Sequence, residues 1–221
     1  GIYEKFETDL VIDKIKETPF IQKPFEHIEL KNFLNQKHLN MILNEKQIHF
    51  DNKKNQDALY KTLINKKWDI LHFPGCTTSW ENYKKYLKGE KITNYLKKNP
   101  IENVGITFRL NDYQNSNIKE LIEFMNGKEF HEALKTKFEI NDATSIISAI
   151  QKNLTGYEIS PHPDKRSKAL TYLLNINYDP EIEKMNCHTH LLEFKPKYKK
   201  IEKYWKDHPN TERCWVPWEW C

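Results

Sequence analysis

The chain has 221 residues, 38% of them hydrophobic and 13% aromatic, and its 35 basic side chains nearly balance 31 acidic ones, for a formal net charge of +4. This apolar content excludes a disordered chain and suffices for the core of one domain spanning residues 1–221. The charge is spread along the sequence, with Lys84-Lys85, Lys97-Lys98 and Lys195 to Lys203 reading as solvated faces, so neither nucleic acid nor a membrane is an expected partner. Four cysteines, Cys76, Cys187, Cys214 and Cys221, lack CxxC spacing. No stretch reads as a signal peptide or a membrane span, so a reducing, cytoplasmic setting is expected.

From Phe25 to about Asn99 the pattern is mixed and mainly helical. Phe33, Leu34, Leu39, Ile42 and Leu43 recur at helical spacing, as do Leu59, Leu63 and Ile64, with Pro74-Gly75 and Gly89 as punctuation. Val104, Ile106, Phe108 and Leu110 then alternate, as in a half-buried strand. Ile118, Leu121, Ile122 and Met125 have the i, i+3, i+4, i+7 spacing of an amphipathic helix closed by Gly127, and Phe130, Leu134 and Phe138 predict a second helix behind it. After residue 143 the character changes. Strands are predicted over 145–154, 156–160, 169–177 and 189–194, separated by Thr155-Gly156, the turn from Pro161 to Ser167, and Asp179-Pro180. Helices over 1–143 followed by clustered strands over 144–221 argue for an α+β fold. The chain opens on Gly1 and closes on the aromatic run from Cys214 to Cys221. Natural termini are usually polar, so the chain is expected to be a segment of a longer protein.

The chemistry concentrates in Tyr157-Glu158-Ile159-Ser160-Pro161-His162-Pro163-Asp164. On an extended segment, residues two apart project to one face, so His162 and Asp164 bring an imidazole and a carboxylate to the same point. Nine histidines and ten aspartates give roughly 0.4 such pairs by chance, so the context has to carry the reading. Pro161 and Pro163 cannot donate to a sheet ladder and therefore place the pair at a rim, where a ligand can reach it. A nitrogen and a hard oxygen donor suit iron(II), whose oxygenase sites use three protein ligands on one octahedral face and leave the others open.

Gly156-Tyr157-x-Ile159-x-Pro161-His162-x-Asp164, followed by Ser167-Lys168-x-x-Thr171-x-Leu173, resembles the first metal-binding motif of the Fe(II)/2-oxoglutarate-dependent oxygenases. The likeness is greatest to bacterial and phage members, in which HxD is followed by a Ser-Lys pair and a Thr-x-Leu strand. The segment from His188 to Phe194 is similar to a later strand of that family, and the resemblance spans about residues 100 to 221. It implies a helical N-terminal part packed on a double-stranded β-helix (jelly-roll or cupin-like) core, incomplete at the C-terminus. It also implies Fe(II) held by His162 and Asp164, and 2-oxoglutarate as co-substrate with Tyr157, Lys168 and Thr171 near its carboxylates. The implied reaction is hydroxylation of a small molecule or a side chain, coupled to decarboxylation of 2-oxoglutarate to succinate.

Family members also carry a distal histidine and, about ten residues later, an Arg or Lys that pairs with the far carboxylate of the co-substrate. Of the downstream histidines, His208 lies in a polar turn and His188 and His190 come early, so the third ligand is expected beyond Cys221. Two other readings remain. One is a zinc-binding domain using Cys187, His188 and His190, with Cys214 and Cys221 downstream. The other is a non-catalytic module on the same β-helix, whose tryptophans, four of the six lying within Trp205 to Trp220, line a binding groove. The oligomeric state and the identity of the substrate are not legible.

Overall fold

The computed structural model describes residues 8–50, 55–72, 79–90, 105–114, 116–177, 181–185 and 188–221. It is α+β: helices and one small antiparallel sheet, arranged as two compact units through which the chain passes repeatedly. None of its described helices is long and apolar enough to cross a membrane.

The first unit, Gly1–Lys54, Asn111–Ala149 and Tyr172–His190, is helical. Its elements are α1 (Thr8–Glu17), α2 (Gln36–Leu43), α5 (Ser116–Met125) and α6 (Lys128–Lys137). The apolar spacing read from the sequence is what buries them: Ile118, Leu121, Ile122 and Met125 form the inner face of α5, and Phe130, Ala133 and Leu134 that of α6. α6 packs on both α1 and α5, and α5 also packs on α2. The Lys137 ammonium donates to the carbonyls of Lys16 and Thr18, which satisfies acceptors left open where α1 ends. Tyr172 docks edge-on against Phe130, its hydroxyl bonds that of Ser148, and burial together with Tyr113 pushes its phenol up to about 12.

The second unit, Asn55–Leu110, Ile150–Thr171 and Leu191–Cys221, contains the sheet. Its central strand β2 (Thr107–Leu110) pairs with β1 (Asp69–Ile70) on one side and β3 (Ile150–Asn153) on the other, both antiparallel. Phe108 lies opposite Ile70 and Lys152. Around it sit α3 (Gln56–Asn65) and α4 (Trp80–Leu87), where Tyr60 stacks on Trp80 and turns its edge to Phe108. Tyr83 is fully buried, and its hydroxyl donates to the Thr155 carbonyl at 2.6 Å. A later helix, α7 (Lys199–Asp207), precedes the aromatic C-terminal segment.

Sequence and structure part company over the later strands. Of the span 145–154 only Ile150–Asn153 joins a ladder, and the described residues of 156–160, 169–177 and 189–194 form no named strand. Alternation of side chains persists through Tyr172, Leu174 and Ile176, which are half-buried, while Leu173 between them is 67% exposed. An extended segment becomes a strand only beside a partner, and among the described residues these segments join none of the three strands. Pro74-Gly75, Val104 and Asp179-Pro180 lie outside the described residues.

Gly105 shapes the approach to β2. Its φ is +117°, and a Cβ there would stand 2.7 Å from the Tyr157 Cα. Gly105→Ala should therefore destabilise the protein by more than about 2 kcal/mol, since backbone rather than a flexible side chain must yield. Gly89→Ala meets open space at φ +75° and should cost only about 1 kcal/mol. Thermal unfolding of the two variants tests the ordering, and equal losses would contradict it.

Candidate metal centre

After β3 the chain reverses at Thr155-Gly156, where Gly156 adopts φ +81° against the Tyr86 ring and the Tyr157 amide bonds back to the Leu154 carbonyl. Tyr157 is half-buried beneath Gly105. The segment then runs through Ser160 and Pro161, both buried, and emerges at His162. The imidazole is 31% exposed and the Asp164 carboxylate 38%, so the pair sits at the surface with a supported inner side.

His162 Nδ1 lies 2.8 Å from the Ser160 carbonyl. A carbonyl only accepts, so Nδ1 carries the proton and the neutral ring keeps its lone pair on Nε2. Nε2 is 4.0 Å from Asp164 Oδ1, too far for a hydrogen bond. An ion bound cis by both at roughly 2.1 Å would draw the two atoms to about 3 Å, a closure within reach of small χ rotations in side chains this exposed. Asp164 Oδ2 is engaged separately, accepting from the Thr171 hydroxyl. One carboxylate oxygen is therefore fixed by a neighbour while the other faces the imidazole lone pair. The indole of Trp215 meets the His162 ring nearly at right angles, with centroids 6.4 Å apart.

The structure thus brings together His162, Asp164 and Thr171, and the Thr171 hydroxyl has a specific role there in orienting the carboxylate. Lys168 is exposed, with its backbone amide bonded to the Lys165 carbonyl. His188 and His190 belong to the first unit, their rings 4.3 Å apart, whereas His162 and Asp164 belong to the second. His208 donates from Nδ1 to the Tyr204 carbonyl and stacks on the Tyr204 ring at the end of α7. Among the described residues no three His, Cys, Asp or Glu side chains converge to hold a metal. Cys187 lies outside the described residues, and Cys214 and Cys221 are free thiols.

Sequence reasoning missed Arg213. Its Nη2 donates to the Asp164 backbone carbonyl at 2.5 Å, and its Nε–H is buried with no acceptor among the described residues. One signal pointed there: of the 35 basic residues only three are arginines, Arg109, Arg166 and Arg213. In so lysine-rich a chain, an arginine marks a place where a planar fork of donors does something an ammonium cannot.

Two outcomes check this geometry. Nitrogen-resolved NMR of metal-free protein should find the His162 proton on Nδ1 at neutral pH wherever the ring is uncharged, and a proton on Nε2 would contradict the Ser160 contact. Thr171→Val should weaken binding of a divalent probe such as Co(II) about tenfold, because the carboxylate loses its orienting donor. An unchanged titration would remove Thr171 from the site. No family model matches the chain, nor does any curated protein or solved structure, so the chemistry of the pair rests on its own residues.

Proposed function

We propose that the chain carries the iron-binding part of an Fe(II)- and 2-oxoglutarate-dependent oxygenase that hydroxylates a small molecule or a side chain. The observation that carries this reading is the His162 lone pair facing one oxygen of Asp164 while Thr171 holds the other. One imidazole and one carboxylate are two of the three donors in the facial set used by non-haem iron(II), and on this reading the third comes from outside the described residues. The donor types fit iron better than structural zinc, which favours closed sets rich in thiolate and imidazole.

Within the site His162 would bind through Nε2 and Asp164 through Oδ1, each already turned by a neighbour into a usable orientation. Iron, 2-oxoglutarate and dioxygen together would supply the chemistry: one oxygen atom ends in succinate as CO2 leaves, and the other in the hydroxylated product. Tyr157 and Lys168 remain candidates to meet the co-substrate carboxylates. A double-stranded β-helix is the fold this reading requires, whereas the described residues form an α+β arrangement with one three-stranded antiparallel sheet.

Full-length gene product given Fe(II), oxygen and 2-oxoglutarate should form succinate, and Asp164→Ala should reduce that to background. Succinate formation that survives Asp164→Ala would sink the assignment. A protein that binds one Fe(II) through His162 yet forms no succinate with any substrate tried would favour the binding-module reading.

A further inference from the structure

The turn that carries the pair has a peculiar hydrogen-bonding problem. Pro161 and Pro163 have no N–H to donate, so the backbone from Ser160 to Asp164 is held largely through its carbonyls. The donors for two of these come from one distant segment. The Val216 amide donates to the Pro161 carbonyl at 2.9 Å, and Arg213 Nη2 donates to the Asp164 carbonyl at 2.5 Å.

That segment is gripped in return. Arg166, two residues past Asp164, donates from Nε to the Thr211 carbonyl at 2.8 Å and from Nη2 to the carbonyls of Trp205 and His208 at 2.8 and 3.3 Å. Trp205 and His208 lie at the C-terminal end of α7, where the last carbonyls have no helical partner and a cation is favoured by the helix dipole. An arginine leaving the turn therefore fastens the 205–211 segment, and an arginine leaving that segment fastens the turn. Both contacts exploit the guanidinium fork, and they employ two of the three arginines in the chain.

We infer that Arg166 and Arg213 form a reciprocal clasp that presets the spacing of His162 and Asp164 and thereby governs how tightly the pair holds a divalent ion. Both are positioning residues: their bonds run to backbone carbonyls, not to the ligating atoms. The clasp fixes the Asp164 main chain on one side while Thr171 fixes its carboxylate on the other. Main-chain ordering that would otherwise accompany metal binding is then already in place in the metal-free protein, leaving only side-chain closure between His162 and Asp164. The inference rests on His162 and Asp164 being metal ligands.

The test is a Co(II) titration, without 2-oxoglutarate, of wild type, His162→Ala, Arg166→Met, Arg166→Lys and Arg213→Met, at a temperature where circular dichroism shows each variant folded. Wild type should bind one equivalent and His162→Ala should not. Arg166→Met and Arg213→Met should each weaken binding by about 10- to 100-fold. Arg166→Lys should recover only part of the loss, because an ammonium restores the charge at the end of α7 but not the fork. A general loss of stability would leave the affinity of the folded protein unchanged, so wild-type affinity in both methionine variants, or full recovery with lysine, overturns the clasp. If Arg213→Met does not fold, the Arg166 pair decides alone. Equal binding by wild type and His162→Ala overturns the metal reading itself, and the clasp with it.

Discussion

Two prolines two residues apart govern this site. By removing the amides of positions 161 and 163 they bar the turn from joining a ladder, which keeps it at the surface where an ion can approach. They also leave carbonyls that need donors from elsewhere. Ser160 receives the His162 ring, Pro161 the Val216 amide and Asp164 the Arg213 guanidinium. Each of these bonds also has a chemical consequence, because the first selects the tautomer and the other two set where His162 and Asp164 stand.

The same constraint accounts for the arginines. A surface turn without its own ladder needs donors that span a gap and bond in fixed geometry, and a guanidinium does both with less loss of order than a lysine ammonium. Arg109, the third arginine, lies within β2 opposite Asp69 and Gln151, and its Nε is also buried without a partner. Lysine dominates elsewhere because a solvated face asks only for charge. Lys137 is an exception that clarifies the rule, since two carbonyls at one helix end converge on a single point and an ammonium suffices.

Much of this was legible where one residue's role depends on its near neighbours. Ile118, Leu121, Ile122 and Met125 announce α5 because helical burial is periodic, and Ile106, Phe108 and Leu110 announce β2 because all three are buried, Ile106 just before the strand and the other two within it. His162 and Asp164 are visible for the same reason: two residues apart, they need no tertiary information to share a face. The segments around Leu173 and Leu191 misled because alternation reports a face and not a partner, and among the described residues neither segment joins the sheet. Arg213 stands 49 residues from Asp164 in sequence, and the bond runs to a backbone carbonyl that every residue type possesses. No local pattern encodes such a contact; only the scarcity of arginine hints at it.

Asp164 joins the two systems, and its atoms divide the work cleanly. The carbonyl belongs to the clasp, Oδ2 to Thr171, and Oδ1 to the space before His162. Truncating the side chain removes the last two and leaves the first intact, because any residue at 164 presents the same carbonyl to Arg213. On the proposed metal reading, the folded turn and the metal affinity are therefore separable at this one position. Replacing His162 does not separate them, since the imidazole both offers the lone pair and donates to Ser160, so its removal also takes a donor from the backbone of the turn. A comparison of the two truncations thus separates backbone order from side-chain chemistry, with Asp164 reporting on its carboxylate, the Thr171 bond included, while the Arg213 contact stays in place.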